Sequence, residues 1–464
     1  MKKSDPSQED SPISRRGFLK TTSTAVAGGA ILGALPVERF AHGASPGTNI
    51  NVALVGCGGR GSGAAVQALK TEGEVKLVAM ADAFKNQLDG SLRNLEGQFK
   101  DRPERIQVAE ENKFVGFDAY KKAIAQADVV ILATPPGFRP IHFEEAIRQG
   151  KHVFMEKPVA TDAPGVRKVL AAAEEAKKKN LKVGVGLQRH HQAGYIETVK
   201  RIHDGAIGDV VSMRAYWNGN TPWVRDRKGL EEKAGRKLTE MEYQMRNWYF
   251  FNWLCGDHIT EQHIHNLDVI NWVKGGFPVR AQGMGGRQVR TSDFRTDKDA
   301  ITLDPNTLDF GEIYDHHFVE FEYADGSRCF SQCRHINGCW NSVSEHVVGT
   351  KGSADVGGYK IFGETAWRFR EREKDAYQQE HDDLFDAIRN NKPYNEAEYG
   401  AKSTMTSILG RLCTYSGKMI EWDDAIKSDI SLMPKSFEWD AETPIQPDMH
   451  GIYPVAVPGK TRLV

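Results

Sequence analysis

Lys157 sits in Met155-Glu156-Lys157-Pro158, after the apolar run Val153-Phe154-Met155 and before a proline that fixes the backbone. A lysine approached in this way loses solvent. It can then move a proton, or stay charged and polarise a hydroxyl. Upstream, Gly56-Cys57-Gly58-Gly59-Arg60-Gly61 follows an apolar strand and opens a helix. That is the setting in which glycines make a tight turn, admit a pyrophosphate to the backbone and pack helix on strand. The helix N-terminus then receives the phosphates. Asp82 closes the next apolar run, 21 residues after Gly61, where a carboxylate can take the adenine-ribose hydroxyls. A dinucleotide beside a desolvated lysine points to redox chemistry at a hydroxyl carbon. Asp82 repels a 2′-phosphate, so NAD is the expected cofactor, with NADP the alternative because Lys85 is close.

A second constellation lies downstream. One helix from Asp257 to Trp272, with Asp257 as N-cap, sets His258, Glu261, His265 and Asp268 on one side. Four ionisable groups on one stripe are costly unless they face solvent, a metal or a wet cleft. The expectation is a catalytic cleft with no metal. A solvated face, and a divalent ion held by His258, Glu261 and His265, are the alternatives. The apolar stretch Trp248 to Leu254 just upstream counts against the solvated face. Trp217, Trp223, Trp248 and Trp253 are core residues or sugar-stacking faces. Asn218, Arg225, Arg246 and Asn252 beside them can hydrogen-bond hydroxyls. From this group Trp217, Trp248, Arg246 and His258 are the expected substrate contacts. His316, His317 and His335 are read as strand residues rather than ligands.

The elements that must position these groups follow from hydrophobic periodicity. Ile50–Val55, Val75–Asp82, Asp128–Thr134, His152–Met155 and Leu181–Gly186 read as buried strands. Gly61–Lys70, His142–Gln149 and Val166–Lys179 read as the helices between them. Alternation of this kind means a parallel, doubly wound sheet with right-handed crossovers. After Gln188 the strands Val210–Trp217, His317–Tyr323, Arg328–His335 and Ser344–Gly349 come without intervening helices. A turn at Ala324-Asp325-Gly326-Ser327 joins two of them, so a large, mostly antiparallel open sheet is expected. Gln378–Asn390 and Tyr399–Ile420 are late helices. The expected organisation is an α/β chain with a leader over 1–43, a dinucleotide-binding domain over 49–187, a substrate and oligomerisation domain over 188–432 and a surface-wrapping tail over 433–464.

The chain has 464 residues with Lys+Arg 61 against Asp+Glu 62, so no global field attracts nucleic acid or an anionic membrane. Ser14-Arg15-Arg16-Gly17-Phe18-Leu19-Lys20 is a twin-arginine export signature. The run Thr21–Leu35 after it is too short and too rich in Gly, Ala and Thr for a membrane span, and Ala41-His42-Gly43 offers small residues for cleavage. The expectation is a periplasmic enzyme without stable membrane insertion of the mature chain, exported folded with its cofactor. None of the six cysteines forms a Cys-x-x-Cys pair, so neither a zinc ribbon nor a redox-active dithiol is indicated. Reduced structural thiols are expected, with one disulfide among Cys329, Cys333 and Cys339 as the alternative.

Taken in order, the glycine turn, Ala133-Thr134-Pro135-Pro136, Gly150-Lys151-His152-Val153, Glu156-Lys157-Pro158, His265-x-x-Asp268 and Gly349-Thr350-Lys351-Gly352 resemble the Gfo/Idh/MocA family of sugar and inositol oxidoreductases. The likeness runs from about Asn49 to Asp424. With the leader, the run Asn247–Trp253 and Gly256-Asp257-His258, the chain looks like an exported subgroup of that family. The resemblance implies an N-terminal Rossmann domain, a C-terminal α/β domain on an open sheet, a cleft between them, and a homodimer or homotetramer. It implies a cofactor site at Gly56, Gly58, Gly59, Arg60, Gly61, Asp82, Thr134, Pro135, Glu156 and Lys157. It also implies Lys157 by the nicotinamide, with His265 as acid/base and Asp268 or Glu261 orienting it. Two features depart from the family pattern. Glu261-Gln262-His263-Ile264-His265 replaces the frequent Asp-x-Gly-x-His, and Arg139 stands where many members have histidine. The expected activity is hydride transfer between NAD and a hydroxyl carbon of a sugar, glycoside or cyclitol. Redox-neutral glycoside cleavage or epimerisation with retained NAD, and a non-catalytic sugar-binding scaffold, are the rivals.

Overall fold

A computed structural model describes residues 49–290 and 310–463; the expected leader, and residue 464 of the tail, lie outside them. The first sheet has six strands: β1 (Ile50–Val55), β2 (Val75–Asp82), β3 (Lys113–Val115), β4 (Val129–Leu132), β5 (His152–Met155) and β6 (Val183–Val185), in the order β3-β2-β1-β4-β5-β6. All its pairs are parallel. Strands β4 and β5 are buried along their whole length, as short runs of Val, Ile, Leu and Phe covered on both faces must be. The covering helices are α1 (Gly59–Lys70), α2 (Lys85–Gln98), α3 (Ala119–Ala125), α4 (Arg139–Arg148) and α5 (Ala163–Lys178).

Chain order reverses between β1 and β4, and a crevice opens there beyond their carboxyl ends. The Gly56–Gly61 and Ala133–Pro136 turns therefore meet; the Ala133 N–H donates to Val55 O at 2.8 Å. The hydrophobic pattern alone misses α2, β3 and α3. In α2 only Leu88, Leu92 and Leu95 carry the apolar stripe, and polar residues dilute it.

After α6 (Ala193–His203), a helix the pattern also misses, the second sheet begins. Its strands are β7 (Val210–Gly219), β8 (Arg280–Gly286), β9 (His316–Glu322), β10 (Arg328–His335), β11 (Ser342–Gly349), β12 (Gly352–Asp355), β13 (Lys360–Gly363), β14 (Trp367–Arg368) and β15 (Ile420–Glu421). They run in the order β14-β13-β12-β11-β7-β10-β9-β8-β15, antiparallel throughout except for the parallel β7–β10 pair. Along β9 and β10 buried and half-buried residues alternate, so one face is covered. Helices α11 (Ile264–Lys274) and α13 (Ala397–Ser416) cover it. The expected hairpin joins β9 to β10, with Gly326 at φ 83°.

Between β7 and β8 the chain makes α7 (Arg227–Ala234), α8 (Glu240–Arg246), α9 (Asn252–Cys255) and α10 (His258–Glu261). α12 (Ala376–Arg389) and α14 (Trp422–Lys427) complete the set. The single helix expected over Asp257–Trp272 is two helices, broken at Gln262 and His263. From Ser428 onward the tail has no regular structure among the described residues. It packs Phe437 against Phe138 and Trp439 against Phe84 and Phe117. All six cysteines are free thiols, so the alternative of a disulfide is corrected. No described helix is long and apolar enough to cross a membrane.

Candidate active site

The crevice deepens into a cavity of about 610 Å³ that takes its walls from both sheets and their helices. Gly56, at φ 96°, turns the chain out of β1, and a Cβ there would lie 2.5 Å from the backbone of Ala133 and Thr134. A Cβ on Gly61 would lie 1.9 Å from Gly56 O, so helix and strand touch at that point. Around Gly58 and Gly59, by contrast, there is open space. Gly58 caps α1 without a side chain, and the first-turn N–H groups beside that space have no intrahelical partner. A helix N-terminus with unpaired N–H groups, beside glycines that leave room for a ligand, fits a pyrophosphate.

Asp82 ends β2 on the same cavity and is fastened to the turn. Its Oδ2 accepts from Cys57 N at 2.7 Å and its Oδ1 from Phe84 N at 2.8 Å. Burial raises its pKa, and the backbone donors oppose that rise. Each oxygen keeps a lone pair for a ribose hydroxyl.

Glu156 and Arg139 tie the second turn to the Glu-Lys-Pro segment. Arg139 is fully buried and donates to Glu156 O at 2.9 Å and to Thr134 O at 2.6 Å. Burial lowers its pKa to about 10. His142 meets Thr134 Oγ1 at 3.2 Å and is held neutral, its pKa lowered to about 3 by burial and then by Arg139. Arg60 lines the cavity, but its guanidinium is paired with Glu156 and, at 3.3 Å, with Glu380. Its side chain braces the glycine turn against Glu156, and only its backbone N–H is left for a cofactor. Gly56, Gly58, Gly59, Gly61, Thr134, Pro135, Glu156 and Lys157 all line this cavity too.

At the other end, Lys157, Glu261, His265 and Trp217 converge. Lys157 Nζ donates to Glu261 O and lies 3.3 Å from Glu261 Oε1, each side chain 13% exposed. Burial raises the Glu261 pKa while Lys157 pulls it down. His265 opens α11. Burial first, then the charges of Lys157, Arg189 and Arg60, hold its pKa well below the ordinary histidine value. It is thus a neutral imidazole, with Nδ1 buried and lacking a hydrogen-bond partner. Trp217, on β7, stacks over it with ring centroids 6.0 Å apart. A neutral imidazole, an ammonium and an aromatic face on one cavity can take a proton from a hydroxyl, stabilise the oxygen left behind and hold an apolar ring face.

The break at Gln262–His263 redistributes the expected stripe. His258 turns away from the cavity; its Nδ1 meets Asp257 Oδ1 at 2.7 Å and the residue is fully buried. Asp268 also lies off the cavity, accepting from Ser403 Oγ at 2.7 Å and meeting His190 Nε2 at 2.7 Å. Neither lines the cavity, which departs from the expected stripe: His258 because it lies on α10, and Asp268 because its carboxylate is held by His190 and Ser403 although it shares α11 with His265. Glu261 faces Lys157 rather than His265. The metal alternative of His258, Glu261 and His265 is not assembled. A different trio, Asp257, His258 and His317, comes together in the core. There the Asp257 oxygens already accept from Tyr314 N at 3.0 Å, from the Tyr415 hydroxyl and from His258. Trp248 lines the cavity. Arg246 does too, but at Phe84, its guanidinium 4.1 Å from the ring centroid, towards the Asp82 end. Trp253 is core, donating to Gln244 at 2.7 Å.

Sequence reasoning did not select Phe84, Phe117, Tyr120, His142, Gln262 or Tyr377 as lining residues. Only Gln262 carried a signal, as a polar residue between Glu261 and His265. The others reach the cavity through chain crossings that periodicity does not report.

A model of the oxidoreductase family with an NAD-binding Rossmann fold, GFO_IDH_MocA, matches residues 50–186, and a GFO/IDH/MocA C-terminal domain model matches 195–355. The chain is 28% identical over 284 residues to an inositol 2-dehydrogenase of Ralstonia nicotianae, covering 60% of this chain and 70% of that protein. It is 26% identical over 245 residues to a 2,7-anhydro-N-acetylneuraminate hydratase of Escherichia coli, covering 50% and 55%. Its fold is similar to that of a Lactobacillus casei scyllo-inositol dehydrogenase crystallised with NAD(H) and scyllo-inositol, at TM-score 0.56 and 19% identity over 81% of this chain and 100% of that one.

Proposed function

Since this chain belongs to the Gfo/Idh/MocA oxidoreductase family, with an NAD-binding Rossmann fold, we propose that it oxidises a ring hydroxyl of a sugar or cyclitol. The observation that carries the proposal is one cavity lined by the glycine turn, Lys157 and His265. NAD, when bound, supplies the hydride acceptor for the carbinol carbon. Gly58, Gly59 and the start of α1 would hold its phosphates, and Asp82 its adenine ribose. His265 receives the hydroxyl proton; its neutral state prepares it for that role. Lys157, held by Glu261, stabilises the oxygen as negative charge develops. Trp217 presents an aromatic face to the ring beside His265. The name of the Ralstonia relative favours a cyclitol. Reduction of NAD by the purified protein across a panel of inositols and sugars tests the reading. No reduction with any member, by a protein that binds NAD, counts against net oxidation.

A redox-neutral cycle with retained NAD is the second reading. The hydratase name of the E. coli relative and the twin-arginine signature favour it, because free NAD is scarce outside the cytoplasm. Turnover without free NADH separates the two. Export of the folded protein and assembly as a dimer or tetramer through the open sheet face belong to the same proposal. On that face Met284 and Val348 are exposed.

A further inference from the structure

The cationic groups of the cleft differ in how they are held. Arg60 faces Glu156 and Glu380, and Lys157 faces Glu261. The segment between β7 and α9 adds two more guanidiniums to the same cavity, Arg225 and Arg246. Arg246 donates to Glu242 Oε1 through two N–H groups, at 3.1 and 3.0 Å, and lies over Phe84, two residues after Asp82. Arg225 lies 5.0 Å from the Trp223 ring centroid. Among the described residues its one hydrogen bond is made by its backbone N–H, to Asn247 Oδ1 at 2.9 Å, and no carboxylate pairs with its guanidinium. Burial and then the charge of Arg246 disfavour its ionised form. A guanidinium without a counter-ion, beside a like charge on a cavity wall, is matched when an anion enters between the two.

The fold indicates which anion that is. The same cavity holds the unpaired helix N-terminus at Gly58–Gly61, where a dinucleotide's phosphates go, and the Arg60 side chain is tied to carboxylates. We propose that Arg225 and Arg246 bind the phosphate groups of the dinucleotide from the C-terminal half, so that both halves of the chain grip the cofactor. The proposal rests on the dinucleotide reading above. The shared chemistry is a phosphate: the pyrophosphate common to NAD and NADP, or the 2′-phosphate that NADP alone carries.

The test measures dissociation constants of NAD and NADP for the full chain at low and moderate salt, with Arg225→Gln, Arg246→Gln and Arg246→Lys. Arg225→Gln is decisive because it breaks no side-chain hydrogen bond or ion pair of the described fold. We expect about tenfold to hundredfold weaker binding in the two Gln variants, with a shallower salt dependence. Equal loss for both cofactors assigns the pair to the pyrophosphate, and loss for NADP alone assigns it to the 2′-phosphate. Arg225→Gln binding both cofactors like the unmodified protein overturns the proposal and leaves the dinucleotide reading standing. Failure of the unmodified protein to bind either cofactor overturns the dinucleotide reading itself.

Discussion

His265 and Lys157 would divide the chemistry by charge state. The imidazole is neutral because burial and three nearby cations penalise its protonated form, so it stays a proton acceptor into acid. The acid limb of the kcat/KM profile should therefore fall clearly below the ordinary histidine pKa of about 6.5. A limb at or above that value would remove His265 from the base role. His265→Ala should lower kcat on the order of 10²–10⁴-fold with the NAD dissociation constant nearly unchanged; a matching loss of NAD affinity would point to a cofactor contact instead. Lys157→Met removes the charge that faces the developing oxyanion and should cost roughly 10²–10³-fold in kcat. Stopped-flow measurement of the first turnover reads both variants free of product release.

At the scale of elements, the interruption between α10 and α11 decides which residues can meet substrate. The break sets His258 and Glu261 on a different axis from His265. Asp268 stays on α11, three residues after His265, but its carboxylate is held by His190 and Ser403, joining the segment after β6 to α11 and α13. Asp268→Asn should lower stability by about 1–3 kcal/mol while kcat stays within a few-fold; thermal melts and steady-state rates on one sample check both halves. His191 is a second join. It lies between Asp383 at 2.6 Å and Glu396 at 3.1 Å, and these carboxylates raise its pKa to about 10 against the burial that opposes them. A folded-state pKa above the unfolded value means the stabilisation is complete below about pH 6.5 and lost as pH rises through about 10. Denaturant midpoints between pH 7 and 10 should fall more steeply for the native chain than for His191→Gln. Equal slopes would mean the imidazole gains nothing from its partners.

On the scale of the whole molecule, the site exists because two sheets of different construction meet at one crevice. The parallel sheet delivers its turns at a topological switch point. The nine-stranded sheet brings Trp217 on β7, with His265 on the helix that covers it. The segment between β7 and α9 and the tail supply aromatic walls at the Asp82 end, where Phe84 and Phe117 lie under Trp439. A cofactor walled from both halves should dissociate slowly. Native mass spectrometry of freshly purified protein should show a dinucleotide on most subunits, together with the subunit number. Bare subunits that regain activity on adding NAD would instead indicate free exchange.

The strands, the glycine turn and Glu-Lys-Pro were legible because each is a local pattern. β2 and β5 run over the residues their apolar stretches marked, and Gly56 and Gly61 meet backbone at distances that admit no side chain. Family kinship was legible for the same reason, since motif order survives without a fold. What periodicity left open was every feature settled by long-range packing. The break at Gln262, the pairing of Asp268 with His190, and the arrival of Arg225 and Arg246 on the cleft depend on partners far along the chain. A repeat of 3.6 residues places side chains around one helix axis, but it carries no information on which neighbour occupies the other side. Only the packed sheets supply that neighbour.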